Sequence, residues 1–280
     1  MAVQISNAFV TLFDSEVKQA YQGQRLLAGV TRERVGVEGS TVKFPKIGKG
    51  SATVRVPQTD VTPLNVSYSQ VTATMEDYIA AEYSDIFNQQ KVNFNERQEL
   101  VQVVSGAIAR RMDQVVLDAL DASGTTATVD NDIGGSDSNL NIEKLREAKN
   151  LLDTNNVPME GRTLLLHANS LQALLGETEV TSADFNTVRA LVTGELNTFM
   201  GFRFITFGDR DEGGLPVDGS SDRTLYAFHR DAVGLGIGMN QTSRVDYIPE
   251  KTSFLVASMF SAGSVAIDDE GIVKITCRES

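Results

Sequence analysis

Cysteine and histidine are scarce in this chain, and their scarcity limits the chemistry that it can support. The 280 residues include one cysteine, Cys277, and two histidines, His167 and His229. A single cysteine excludes an intramolecular disulfide and a zinc cluster built from cysteines, so we expect Cys277 to be a small residue within a C-terminal strand. Each histidine directly follows a predicted strand, and we expect a structural role for both.

Motifs of catalysis and of phosphate binding are also missing from the sequence. There is no Gly-x-Ser-x-Gly nucleophile elbow, and the glycine-rich residues 234–238 have neither the order of a dinucleotide-binding motif nor the Lys-Ser/Thr pair of a P-loop. Asp209, Asp211 and Glu212 lack the EF-hand spacing, so we interpret them as an acidic loop in solvent. We therefore expect no enzyme activity, no cofactor and no metal site. A hydrolase that uses one of the two histidines is the alternative from another class, although the sequence pairs neither with a nucleophile.

Positive charge is in deficit, because 37 acidic residues stand against 25 basic ones and give a net charge of -12. This balance favours solubility and disfavours broad electrostatic binding to nucleic acid or to an anionic membrane. The most apolar window late in the chain, residues 254–267, is too short to span a membrane. No basic region followed by an apolar run opens the chain, so we expect assembly in the cytoplasm.

Residues 39–75 alternate between apolar and polar side chains, as β-strands do. The apolar positions are Val42, Phe44, Val54, Val56, Leu64, Val66 and Tyr68. Proline and glycine interrupt them too often for a helix, and the pattern predicts a long hairpin whose arms of about 15 residues would reach roughly 50 Å. Because a two-stranded ribbon is marginally stable in water, we expect this hairpin to lie on a second chain and the protein to be a building block of a larger assembly.

Basic side chains cluster on this hairpin although the chain is acidic overall. Lys43, Lys46 and Lys49 have two interpretations that the sequence supports about equally. They protect an open strand edge from wrong pairing, or they complement an acidic patch on a neighbouring subunit. Together with Arg55 and Asp60, these lysines are our candidates for inter-subunit contacts on the hairpin.

The longest regular element is a helix predicted over residues 96–122, with Asn95 as its N-cap and Gln98 in the capping-box position. Its apolar positions recur at helical spacing and are Leu100, Val104, Ala107, Ile108, Met112, Val115, Val116, Ala119 and Leu120. The opposite, solvent-facing side is predicted to carry Glu99, Gln102, Arg110, Asp113 and Asp121. The adjacent pair Arg110 and Arg111 is interpreted as two charges on this solvated side rather than as a nucleic-acid site.

The remaining elements are shorter. A helical stripe runs from Ile5 to Tyr21, and buried positions are expected at Tyr78, Ile79, Tyr83 and Ile86. After a polar loop at 122–140, Asn141 caps a second helix whose inner line is Ile142, Leu145, Lys149 and Leu152, and a short helix opens at His167. Strands are predicted at 163–166, 202–207, 225–228, 234–237, 245–248, 253–256 and 272–276. Strands and helices do not alternate strictly, so the fold class is α+β.

Four stretches of the chain form a recognisable series. They are Val-Lys-Phe-Pro-Lys-Ile-Gly at 42–48, Ala-Arg-Arg-Met-Asp at 109–113, Leu-Leu-Asp-Thr-Asn-Asn-Val-Pro-Met-Glu-Gly-Arg at 151–162 and Gly-Phe-Arg-Phe at 201–204. In this order they resemble the major capsid protein of tailed bacteriophages, the HK-ninety-seven-type shell subunit, over nearly the whole chain. The first is similar to the start of the family's extended E-loop. The second is similar to its spine helix, which ends in an Ile/Met-Asp-x-x-Val-Leu pattern, and the third to the entry to its axial domain.

The resemblance implies the phage major capsid fold. Its parts would be an N-terminal arm (1–38), the extended E-loop hairpin (39–76), a peripheral domain (77–140 and 249–280) with the spine helix at 96–122, and an axial domain (141–248). Such subunits form hexamers and pentamers that close into an icosahedral shell around double-stranded DNA, which they enclose without sequence-specific binding.

The implied partners are further copies of the chain and a portal, with a decoration protein as an optional addition, and the implied location is the virion. The sequence begins almost at once with the arm, without a long helical pro-segment. Either that segment has been removed or a separate scaffolding protein directs assembly, and we expect the second. The alternative is an encapsulin-like nanocompartment that encloses cargo enzymes, with Phe9, Leu12 and Phe13 lining a cargo groove.

Overall fold

The computed structural model of the protein describes residues 24–61, 63–89, 91, 95–177 and 198–279. The helical stripe predicted from Ile5 to Tyr21 lies outside these residues, as does the cargo groove of the nanocompartment alternative. The strands are β1 (Arg32–Val35), β2 (Thr41–Ile47), β3 (Tyr68–Thr74), β4 (Glu76–Asp85), β5 (Thr128–Val129), β6 (Arg162–His167), β7 (Thr198–Phe199), β8 (Phe202–Phe207), β9 (Asp222–His229), β10 (Val233–Ile248), β11 (Ser253–Ala266) and β12 (Ile272–Arg278). The helices are α1 (Ile86–Gln89), α2 (Glu96–Asp121), α3 (Ile142–Thr154) and α4 (Ala168–Gly176).

The strands form three sheets. A four-stranded sheet has the order β1-β10-β11-β4, and only β1 runs parallel to its neighbour. A six-stranded sheet has the order β5-β12-β9-β6-β8-β7, and β2 pairs with β3 in the separate hairpin. Helix α2 packs across β11 and β4, where the rings of Tyr78 and Phe260 stack with their centroids 5.0 Å apart. Helices and sheets are therefore both present in the described residues, which confirms the α+β class.

Several local predictions are confirmed. The strands expected at 163–166, 202–207, 225–228, 253–256 and 272–276 lie within β6, β8, β9, β11 and β12. Asn141 caps α3 by accepting a hydrogen bond from the Lys144 backbone N–H at 2.8 Å, and α4 begins directly after His167. Cys277 is fully buried in β12, and this burial raises the pKa of its thiol to about 12. No helix in the described part of the chain is long and apolar enough to cross a membrane.

Two strand predictions are wrong in extent. The strands expected at 234–237 and 245–248 belong to a single strand, β10, because the polar residues between them continue its pairing with β11 through two register shifts. In the hairpin, the ladder stops at Ile47 and Tyr68, and the alternation around Val54, Val56 and Leu64 forms no strand. These tip residues are exposed, so no core favours regular pairing there.

Helix α2 is confirmed to within one residue at its C-terminal end, but its surroundings differ from the prediction. Asn95 makes no side-chain cap hydrogen bond. Asp113, expected in solvent, is fully buried, and Arg110 forms an ion pair with Glu212 in which both side chains are mostly buried. Arg111 lies over the ring of Tyr78. The helix is therefore covered on part of its polar side by other segments of the chain, which its own periodicity cannot reveal.

The burial predicted for side chains of β4 and α3 is also partly wrong. Ile79 and Tyr83 are exposed because they lie on the face of β4 that points away from α2. In α3, the fully buried lysine is Lys144 rather than Lys149. Its ammonium donates to the carbonyls of Ser138 (2.7 Å) and Thr276 (2.8 Å), and burial lowers its pKa.

Sheet membership does not follow the bounds of the predicted domains. β10 lies wholly inside the expected axial domain yet pairs with β11 and β1, and β12 lies inside the expected peripheral domain yet pairs with β9. Because strand pairing alone does not define a domain boundary, the division into arm, peripheral domain and axial domain stays a prediction.

Candidate functional site: the hairpin and its attachment

The hairpin is anchored through a small core of its own. Strands β2 and β3 pair from Thr41 opposite Thr74 to Ile47 opposite Tyr68. Because side chains alternate along a strand, Val42 and Phe44 point to the same side and are buried there with Ala73 and Ile267. This inner face lies on the four-stranded sheet, next to the end of β11.

Glycines of β10 and β11 let the hairpin come this close. A Cβ atom on Gly234 would lie 2.8 Å from the Phe44 ring, and one on Gly236 would lie 2.6 Å from Val42. A Cβ on Gly263 would overlap the backbone carbonyl of Thr74. The glycine-rich residues 234–238 therefore form part of a packing surface for the hairpin, which explains why they match no phosphate-binding motif.

Two ion pairs attach the hairpin to its own subunit between the small core and the tip. The Lys46 ammonium lies 2.8 Å from Asp268 Oδ1, and the Lys49 ammonium bonds to Glu270 in the turn Asp269–Gly271. The hydrogen bond to Glu270 raises the pKa of Lys49. The two lysines thus have acidic partners within their own chain, and we call these two pairs the hairpin latch.

The outer face and the tip carry the remaining contact candidates. Lys43 is exposed on the outer face of β2, and Arg55 and Asp60 lie in the tip, where every residue from 51 to 61 is exposed. Apolar side chains share this exposure: Ile47 and Tyr68 face each other across the ladder and are 64% and 80% exposed, and Val54 is 93% exposed. The hairpin therefore has a buried inner face, and its outer face and tip expose several apolar side chains among polar and basic ones.

The other candidate chemistry has structural partners. His167 accepts from the Asn169 backbone N–H at the start of α4, and His229 accepts from the Asp231 N–H while its Nε2 lies 2.9 Å from the Glu160 carbonyl oxygen. In the acidic loop, Asp209 pairs with Arg223 and Glu212 with Arg110. No cluster of three potential metal-binding side chains occurs within the described ranges.

The sequence pattern predicts the hairpin but not the residues that attach it to the rest of its own subunit. Asp268, Glu270 and the three glycines lie about 185 to 230 positions away from the latch lysines and from Val42 and Phe44, and no local pattern connects the two sets. The only sequence signal was the glycine-rich run itself, since glycine within strands often marks a close approach of another backbone.

Comparisons with known proteins agree with this geometry. The family model described as "Phage capsid protein" matches residues 5–279. The fold is similar to the capsid of the cyanophage P-SCSP1u (14% identity, TM-score 0.76, 98% of this chain and 94% of that chain). It is also similar to a structure of Mycobacterium phage Che8 (17%, 0.74, 96% and 97%) and to the head of Helicobacter pylori bacteriophage KHP40 (12%, 0.77, 98% and 97%). A search of curated protein sequences gave no match.

Proposed function

The chain belongs to the phage capsid protein family and is a structural major capsid protein, and from that premise we propose that its hairpin is the element by which one subunit holds the next. Subunits of this family assemble into the shell of the virion. We further propose the arrangement implied by the resemblance: hexamers and pentamers in an icosahedral shell, each subunit with an arm, a peripheral domain and an axial domain. The family match does not favour the encapsulin-like alternative.

The observation that carries the proposal is the uncovered outer face of the hairpin. Ile47, Tyr68 and Val54 are exposed, and the neighbouring side chains Val56, Val61 and Leu64 are exposed with them. Six large apolar side chains exposed together on one element are unusual for a soluble protein and favour an interaction site. The latch and the small core hold the base of the hairpin on its own subunit, so the free outer face and tip are left for another copy.

We propose that the receiving surface is the face of the four-stranded sheet opposite α2. Ile79 and Tyr83 are exposed on this face of β4, and strand alternation places Asp77 beside them. The register with β11 and β10 brings Asp246 and Arg244 to the same face. Of the three charged side chains named on this face, Asp77 and Asp246 are carboxylates. Together with the exposed apolar side chains they would complement a hairpin that carries apolar and basic residues.

The finer partners follow as further proposals. A net charge of -12 fits a shell that encloses double-stranded DNA without gripping it. A separate scaffolding protein and a portal are proposed as assembly partners in the bacterial cytoplasm, and a decoration protein as a possible addition to the shell. Membership of the family implies a structural role rather than catalysis.

The test is a pair of double variants at the tip of the hairpin. Val54→Asp/Val56→Asp places charge on side chains that are exposed in the single subunit, so folding should be unaffected while docking on an apolar surface is lost. Val54→Leu/Val56→Leu keeps the apolar surface and is the matched control. Negative-stain electron microscopy should show shells or capsomer rings for the control and only dispersed subunits for the aspartate variant. Normal shells from the aspartate variant would contradict the proposed role of the hairpin.

A further inference from the structure

Both carboxylate oxygens of Asp113, a fully buried residue of α2, accept hydrogen bonds from distant parts of the chain. The backbone N–H of Leu26 donates to Oδ2 at 2.8 Å, and that of Leu27 donates to Oδ1 at 3.0 Å. The guanidinium of Arg210, in the loop between β8 and β9, donates to Oδ2 at 2.8 Å. One side chain thus connects three segments that are far apart in sequence.

The segment that precedes β1 depends on these bonds. Residues 24–31 form neither helix nor strand, yet Leu27, Val30 and Thr31 are buried. A buried backbone N–H without a ladder partner is costly unless a side chain accepts from it, and Asp113 does so for two successive residues.

Arg210 completes the arrangement from the other side. A buried carboxylate requires a cation or several donors to offset its lost hydration, and the Arg210 side chain, which is 5% exposed, supplies the charge. Its Nη2 also donates to the carbonyl of Gln24 at 3.1 Å, and its guanidinium lies over the ring of Phe207. Asp113 and Arg210 together therefore hold both ends of the four residues from Gln24 to Leu27.

We propose that Asp113 and Arg210 form a clamp that positions residues 24–31 on helix α2, and with them the start of β1 and the origin of the hairpin, before any contact between subunits is made. Asp113 is a positioning residue in this view, and its role goes beyond the docking proposed for the hairpin. A neighbouring ion pair, Arg110–Glu212, joins the same β8–β9 loop to the same helix. It therefore offers a comparison that separates the effect of the clamp from that of joining loop and helix.

Hydrogen exchange of the full-length, unassembled chain tests the clamp. Asp113→Asn is nearly isosteric but offers only one acceptor oxygen, so amide exchange in peptides covering residues 24–31 should accelerate by about tenfold or more. The peptides of α3 and β6 should keep their protection. Glu212→Gln is the matched control: it removes a charge from the same joint without touching Gln24, Leu26 or Leu27, and exchange at 24–31 should stay as in the unaltered chain.

Equal exchange at 24–31 in Asp113→Asn and in the unaltered chain would overturn the proposal, as would equal acceleration in Glu212→Gln. If Asp113→Asn does not fold, Arg210→Lys takes its place. A lysine keeps the positive charge beside Asp113 but cannot bond to Asp113 and Gln24 through two nitrogens of one plane. Exchange should then rise at residues 24–31, and unchanged exchange would equally reject the clamp. Since no step requires assembly, the outcome is independent of whether the hairpin docks on a neighbour.

Discussion

At the scale of single residues, the packing of the hairpin depends on three glycines of β10 and β11. Gly234, Gly236 and Gly263 leave room for Phe44, Val42 and the Thr74 carbonyl. Their backbone angles do not require glycine, since none of the three has a positive φ, so the requirement is close approach. Glycine usually weakens a strand. Here the lost strand stability is offset by the packing of the hairpin directly on the sheet.

Gly263→Ala should therefore destabilise the subunit by forcing the base of the hairpin away from β11. The added methyl would overlap a backbone carbonyl, which cannot rotate away as a side chain could. The free energy of unfolding, measured with urea, should fall by about 1–3 kcal/mol. Gly219→Ala is the control, because a Cβ there meets nothing within 4 Å, and its effect should stay within about 0.5 kcal/mol. Equal stability of the two variants would show that the hairpin does not rest on Gly263.

Residue environments are also where reasoning from the sequence was weakest. Helical spacing correctly predicts that Asp113 lies on the polar side of α2. It cannot reveal that residues 24–27 and the β8–β9 loop cover this side of the helix. A single aspartate in a polar stripe has the same local pattern whether it faces water or a buried arginine. Its burial is decided by segments about 90 residues away in either direction.

At the scale of elements, the latch is a second attachment of the hairpin to its own subunit. The Lys46–Asp268 pair lies beyond the small apolar core, and each side chain is 36% exposed. A pair this exposed stabilises folding only weakly. The pair nevertheless attaches the hairpin two residues beyond Phe44, the last side chain of β2 in the small apolar core.

The effect of reversing the charge of Lys46 should be compensated by reversing the charge of Asp268. Lys46→Glu places like charges opposite each other, and protection of the β2 amides against hydrogen exchange should fall. Adding Asp268→Lys restores the attraction and should restore the protection. The coupling energy from the double-mutant cycle should be about 0.5–1 kcal/mol after allowance for solvent screening. Additive effects of the two substitutions would mean that the lysine and the aspartate act independently.

Elements with strong local signals were predicted well from sequence, and elements that depend on distant partners were not. Helix α2 has a long apolar repeat, β6 contains the buried apolar run 164–166, and β8 has four apolar side chains interrupted by Arg203 and Thr206, so their patterns fix them. β10 was divided in two because its polar middle pairs with β11 at positions that no local pattern reveals. The hairpin was recognised but its regular part was overestimated, since alternation at the tip has no core within the subunit to enforce it.

At the scale of the whole molecule, charge is divided unevenly between the hairpin and the rest of the chain. Residues 41–74 carry four basic side chains and one acidic side chain, a net +3, whereas the whole chain carries -12. The remaining residues therefore carry -15. Two of the four basic side chains, Lys46 and Lys49, are already paired in the latch, so Lys43 and Arg55 remain to attract an acidic neighbour. Two identical subunits repel each other on average, and we expect this charge pattern to favour the hairpin as the first point of contact.

Salt should separate these two effects. The distance over which exposed charges interact falls from about 10 Å at 0.1 M salt to about 3 Å at 1 M. If hairpin attraction guides assembly, the initial rate measured by light scattering should fall by roughly tenfold as sodium chloride is raised from 0.1 M to 1 M. If repulsion between acidic bodies dominates, the rate should rise instead. Lys43→Gln/Arg55→Gln removes two exposed charges from the hairpin and leaves the latch lysines in place. Its assembly should be slower at low salt and should speed up as salt is raised, because only the repulsion between the acidic bodies remains to be screened. The same salt response in this variant and in the unaltered chain would exclude the hairpin charges as the guide, and contact would then depend on its apolar outer face alone.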